Sequence, residues 1–213
     1  YLASPESNLA ESPLPILDPL LEFRRPRKEW TFEELAPALG ALEEGRSYGN
    51  GKRMFEVATC VSCHRIEDTG ADFGPDLGKL DAKKTSADIL RDLLEPSAVL
   101  NEEFRAWTFI LKDGNVVNGL VTEEADGVVK VVENPLAKAE PTIVKASDIA
   151  TREKAATSIM PEGLLATLTR EEILDLIAYV VARGDRNHAV FRGGVHDHGE
   201  HGDHGEHEHA AKD

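Results

Sequence analysis

Cysteine is almost missing from this chain, with Cys60 and Cys63 the only two among 213 residues. A structural zinc site wants a second ligand pair at similar spacing, and a redox-active Cys-x-x-Cys wants a thioredoxin-like βαβ surround; the sequence offers neither. Basic side chains are also under-represented, because 24 Lys and Arg face 39 Asp and Glu for a formal net charge of −15. That balance argues against nucleic-acid binding and towards a partner with a basic docking face. Long apolar runs are lacking as well. No stretch approaches the length needed to span a bilayer, and no signal peptide begins at Tyr1.

What the two thiols do have is a histidine directly after the second. Cys60-Val61-Ser62-Cys63-His64 is the attachment signature of a c-type haem. Each thiol adds across one vinyl group of the porphyrin, and the backbone between them delivers the His64 imidazole to the iron as proximal ligand. One covalent haem c is the expectation. Such attachment resembles a process of the outer side of bacterial and organellar membranes. The expected location is therefore periplasmic or otherwise extracytoplasmic, with Tyr1 a processed terminus. With both thiols consumed, no disulfide is left to report the compartment.

Helix signals surround this motif. Thr31 and Glu34 make a capping box that opens a helix carrying Phe32, Leu35, Leu39 and Leu42. Asn50 is the expected N-cap of a short helix through Met54, Phe55 and Val57 into the haem motif. Ser86 is expected to cap a third, with Ile89, Leu90, Leu93 and Leu94 on one face and Pro96 beyond its end. Thr169 and Glu172 open the last, where Ile173, Leu176, Ile177, Val180 and Val181 follow at helical spacing until Gly184 stops the run. The spacing predicts a mainly α fold.

These residues resemble class I cytochrome c, in which an N-terminal helix leads into the haem motif and crosses a C-terminal helix. Gly51-x-x-x-Phe55 is similar to the former, Leu176-Ile177-Ala178-Tyr179-Val180 to the latter, and Gly74-Pro75-Asp76-Leu77 to the family's Gly-Pro-x-Leu segment. The resemblance implies that Pro75 lies beside the His64 ring and that a nearby backbone carbonyl accepts its Nδ1 proton, fixing the ring and tuning the iron. It also implies a second axial ligand from methionine. Met160, in Ser158-Ile159-Met160-Pro161-Glu162-Gly163-Leu164, stands where that ligand occurs, and the Pro161 turn is the local device that aims its sulfur. The rival, Met54, sits on the helix entering the motif and is poorly placed for the opposite haem face; filling the core is the commoner fate of methionine.

The interval from His64 to Met160 is longer than a small domain of this class needs, and the excess has its own pattern. Arg105 to Leu111 reads as a strand, Asp113-Gly114 as a turn, Val116 to Val121 as its hairpin partner, and Val128 to Val132 as another strand after Asp126-Gly127. Pro141 to Val144 is a candidate fourth. The expectation is a small antiparallel β-unit inserted over about 103–148, its core covered by Trp107 and Phe109. It either shields a haem edge or forms a docking surface. Together with Phe73-Gly74-Pro75-Asp76-Leu77, Leu93-Leu94-Glu95-Pro96-Ser97 and Leu111-Lys112-Asp113-Gly114, this makes the chain from about Gly49 to Arg183 resemble the haem-binding domain common in planctomycetes and verrucomicrobia. That domain is often fused to propeller-type dehydrogenase modules, and this sequence carries none.

The expected organisation is a proline-rich extended lead over 1–30, a short helix and connection over 31–48, the cytochrome domain over 49–186, and a disordered acidic tail over 187–213. The tail holds His196, His198, His201, His204, His207 and His209, a composition suited to transient binding of zinc, copper or nickel, or merely to solubility. The resemblance implies a monohaem carrier of single electrons between redox proteins, free or as a subunit of a respiratory or dehydrogenase complex, and membrane-associated only through a partner. No catalytic residue is assigned. The competing readings are a haem enzyme or sensor with an open distal site, and a metal-binding accessory protein that uses the tail.

Overall fold

Side-chain caps fix where the helices begin in the structure, a computed structural model that describes residues 26–193. Helix α1 (Phe32–Leu35) starts at the Thr31 and Glu34 capping box and continues as a 3-10 helix over Ala36–Leu42. Helix α2 (Tyr48–Val57) is capped by Ser47, whose hydroxyl accepts the Asn50 N–H at 3.1 Å. Asn50, the cap expected from sequence, is instead inside the helix, where its side-chain amide donates to Asp175 Oδ2 at 2.7 Å. Helix α3 (Ser86–Leu94) is likewise capped one residue earlier than expected, by Thr85 in a capping box with Asp88. Helix α4 (Arg170–Val181) begins at the Thr169 and Glu172 box as read. It ends where Arg183 and Gly184 turn to positive φ, 54° and 84°, and the Gly184 N–H closes on Tyr179 O at 3.2 Å.

The helical core forms where α2 crosses α4. At Gly51 an added Cβ would run into the Asp175 carbonyl oxygen and stand 2.9 Å from Tyr179 Cβ, so the two backbones approach without side chains between them. Phe55, Met54, Leu90, Ile173, Leu176, Ile177 and Tyr179 fill the surrounding space. One carboxylate is buried with them. Asp175 accepts from Arg46 Nε at 2.8 Å, from the Ser47 N–H at 3.2 Å and from Asn50, which provides the hydrogen bonds a buried charge needs.

Between α3 and α4 stands a five-stranded antiparallel sheet: β1 (Trp107–Leu111), β2 (Val116–Ala125), β3 (Val128–Val132), β4 (Thr142–Lys145) and β5 (Ile149–Lys154), in the spatial order β4-β3-β2-β1-β5. Asp126 and Gly127 both take positive φ, 52° and 75°, as the tight β2–β3 turn requires. Phe109, Val117, Val129, Val131 and Val144 make a separate core, with Trp107 packed at its side. The sheet is larger than the sequence suggested, and its last strand runs past the expected boundary at 148. β5 went unread because it alternates weakly: Ile149 is its one apolar anchor, and further along the Arg152 guanidinium covers the Trp107 and Phe109 rings at 4.2 and 5.1 Å. Among the described residues the regular structure outside this unit is helical, so a helical domain with a β-unit fits and a purely helical fold does not.

The expected disordered tail also begins too early. Ala189–Phe191 forms a 3-10 turn, Val190 is buried, and the Phe191 ring meets Tyr48 edge-on at 5.4 Å. The Gly45 and Arg46 N–H groups donate to Arg192 O and Val190 O at 2.8 and 3.0 Å. Two apolar residues in a polar run were enough to dock it. The six tail histidines and most of the lead lie outside the described residues. Among the described residues no helix is long and apolar enough to cross a membrane.

Candidate functional site

Immediately after α2 the chain turns sharply at Thr59, whose φ of 59° is left-handed, and enters a 3-10 turn over Cys60–Ser62. The Cys63 and His64 N–H groups both donate to Cys60 O, at 3.1 and 2.9 Å, so Cys60, Cys63 and His64 come to line one wall of a single cavity. Cys60 is a buried free thiol and Cys63 a half-buried one. Burial pushes the Cys60 thiol up to about 12 and the Cys63 thiol upward, so both are neutral at ordinary pH. Burial likewise lowers the His64 pKa, against the opposing pull of the Pro75 carbonyl.

His64 is held by the segment that follows. Its Nδ1 lies 2.9 Å from Pro75 O, and because a carbonyl can only accept, the proton sits on Nδ1 and the Nε2 lone pair is available to a metal. The brace is tight. A Cβ at Gly74 would stand 2.6 Å from His64 Cε1 and 2.9 Å from Nδ1, so no larger residue fits without moving the ring. Gly74 N–H donates to Cys63 O at 2.7 Å, and Leu77 N–H to Arg65 O at 2.8 Å, tying both ends of the segment to the cysteine turn.

The cavity has a volume of about 440 Å³ and lies between these residues, Ile89 and Leu93 of α3, Leu176 and Val180 of α4, and the segment Thr157–Pro161. Met160 is on that segment, half-buried and lining the cavity that His64 lines. Its N–H donates to Ser158 Oγ at 3.1 Å, and the Ser158 N–H to Ser97 Oγ at 3.1 Å, which links the segment to the chain just after α3. Met54 is buried in the core between helices and takes no part in the cavity wall. His188 caps the C-terminal 3-10 turn by accepting the Val190 N–H on Nδ1 at 3.3 Å, away from the cavity.

The β-unit contributes as well: Leu136, in the β3–β4 connection, and Phe104 and Arg105, just before β1, line the cavity. Among the described residues no three His, Cys, Asp or Glu side chains converge as a separate metal site. Two thiols, an imidazole with a free ring nitrogen, a thioether and apolar walls are the donors and lining that suit an iron porphyrin held through its vinyl groups. Sequence reasoning brought five of these residues forward: Cys60, Cys63, His64, Pro75 and Met160. It gave no role to Gly74 beyond its motif, and none to Ser97 or Ser158, whose tie spans a sequence separation of 61.

Residues 48–104 match the family model for cytochrome c, a span that runs from α2 through the cysteine turn and α3 and ends before β1. The sheet, Met160 and α4 lie beyond it. No curated protein matches the chain. The match supports a haem-binding electron-transfer protein.

Proposed function

We propose that this chain is a monohaem c-type cytochrome that passes single electrons between redox proteins, with haem c bonded to Cys60 and Cys63 and its iron ligated by His64 and Met160. The observation that carries this reading is that the imidazole, committed through Nδ1 to Pro75 O, and the thioether line the same cavity as both thiols. When bound, the haem supplies one-electron Fe(III)/Fe(II) chemistry. The protein's residues do the rest. Pro75 and Gly74 hold the imidazole plane and keep its proton on Nδ1; Ser158 and Ser97 place Met160; the apolar walls from α3 and α4 keep water away. A thioether ligand favours the ferrous state and raises the potential.

Cytochrome c domains are typically extracytoplasmic, and we place this one there. The β-unit between α3 and Met160 supports the planctomycete and verrucomicrobial subtype, and Leu136 and Phe104 on the cavity wall favour a shielding role for that unit. The net charge of −15 favours a redox partner with a basic docking face, either freely diffusing or in a larger complex. The deciding experiment is the oxidised and reduced visible spectrum of the holoprotein. The expected result is a low-spin spectrum whose ferric form shows the near-infrared band of methionine ligation, lost in Met160→Ala. A high-spin ferric spectrum with ready binding of cyanide or peroxide means an open distal site, and the enzyme or sensor reading replaces this one.

A further inference from the structure

The segment that carries Met160 has no regular structure between the end of β5 and the start of α4. Its internal backbone–backbone hydrogen bonds are short turns, Ala166 N–H to Gly163 O and Leu168 N–H to Leu165 O, both at 3.0 Å. Yet two of its carbonyls are taken by residues from the other end of the chain. The Lys28 N–H donates to Ala166 O at 2.8 Å, and the Trp30 indole Nε1–H donates to Leu168 O at 3.1 Å. Arg27 reaches to 3.7 Å from where a Cβ on Gly163 would stand.

This contact is anchored on its own side. Trp30 is half-buried against the helical core, and Lys28 Nζ lies 3.8 Å from the ring centroid while pairing with Glu34 at 3.0 Å. Thr31, the next residue, is the N-cap of α1, and Leu35 of that helix is fully buried. The Met160 segment is therefore tied at its start to Ser97 and at its end to residues 28–30.

We propose that residues 27–30 form a strap that keeps Met160 in place, with Trp30 as its positioning residue. The proposal rests on the reading of Met160 as the distal ligand. A thioether binds iron weakly, so its residence is set by how readily its segment opens, and local opening is governed by the few bonds that must break. One net hydrogen bond, from Trp30, changes that opening equilibrium about three- to tenfold.

The test uses the full-length ferric holoprotein and cyanide, which enters only when Met160 leaves. Trp30→Phe keeps the ring and removes the donor. Lys28→Pro removes the backbone donor, and Lys28→Gln keeps it as a control. The expected result is a near-infrared methionine band present in every variant at rest. Cyanide binding should be about three- to tenfold faster in Trp30→Phe than in the wild type, and about three- to tenfold faster in Lys28→Pro than in Lys28→Gln, which loses the same ammonium but keeps the backbone N–H. Amide exchange should be faster over residues 160–168 and not in α2 or α4. Wild-type rates and exchange in Trp30→Phe, and those of Lys28→Gln in Lys28→Pro, with the band intact, overturn the strap while leaving Met160 as ligand. A wild-type protein without the band, or cyanide kinetics that Met160→Ala does not alter, overturns the ligand reading and the strap with it.

Discussion

The His64 ring and Gly74 are in such close contact that the wall of the imidazole occupies the place where a side chain at position 74 would begin. His64 is thus oriented from two sides, by packing against the Gly74 backbone and by the bond from Nδ1 to Pro75 O. In the proposed haem site that bond would make the imidazole more electron-rich and so favour ferric iron.

Gly74→Ala is expected to displace the ring and weaken the bond to Pro75. With less electron density on the imidazole the ferric state loses stabilisation, so the reduction potential should rise, and the yield of correctly ligated holoprotein should fall. Redox titration of the variant beside the wild type checks this. An unchanged or lowered potential contradicts the role given to the brace.

Gly51→Ala should act on stability. The added methyl group meets the Asp175 carbonyl oxygen and Tyr179 Cβ, and neither backbone can yield without opening the α2–α4 crossing. Overpacking of this kind costs about 1–3 kcal/mol, so the midpoint of denaturant unfolding of the holoprotein should drop with little change in slope.

The α3 capping box predicts a pH dependence. The Asp88 carboxylate accepts from the Thr85 hydroxyl and from the Thr85 N–H, which holds its pKa below the ordinary value of 3.8. A folded-state pKa below the unfolded one means the contribution is fully present above about pH 4–5 and is lost as the pH falls through the folded value. Asp88→Ala should therefore melt at a lower temperature than the wild type near neutrality, with the gap closing as the pH is brought below 3.8. Paired melting curves across this range decide it.

Removing the tail from His196 to His209 is expected to abolish binding of zinc, copper and nickel while leaving the haem spectrum unchanged, because the run of imidazoles is the one dense set of nitrogen ligands in the sequence. Titration calorimetry with each metal, next to the visible spectrum, tests both halves. Equal metal binding by the shortened chain would remove the tail from consideration.

Much of this architecture was legible because its signals are local. The Thr31 and Thr169 capping boxes each lie within four residues, and the turn that groups Cys60, Cys63 and His64 lies within five. The one-residue slip at the Thr85 cap aside, the misreadings share the opposite cause. Asn50 has a good cap side chain, but Asp175, at a sequence separation of 125, gives it a better partner, and Ser47 takes the cap. β5 escaped because an edge strand can be stabilised by ladder bonds and the stem of one arginine without an alternating pattern. Trp30 looked like part of a loose lead, since nothing near it in sequence shows that its indole would find Leu168 O at a separation of 138.

The pairing of β1 with β5 bears on how the two ends of the site meet during folding. Trp107 is opposite Lys154, and just outside them the Ala155 N–H donates to Ala106 O at 2.9 Å, so the chain enters and leaves the sheet at neighbouring points. Once the sheet has formed, the polymer between the imidazole and the thioether is shortened to the tether outside it. Loop-closure entropy grows with the logarithm of tether length, about 0.6 kcal/mol per doubling, so folding the sheet first makes that closure less costly. Because both strand ends emerge together, lengthening or re-surfacing the hairpins is absorbed within the sheet and does not pull on either His64 or Met160.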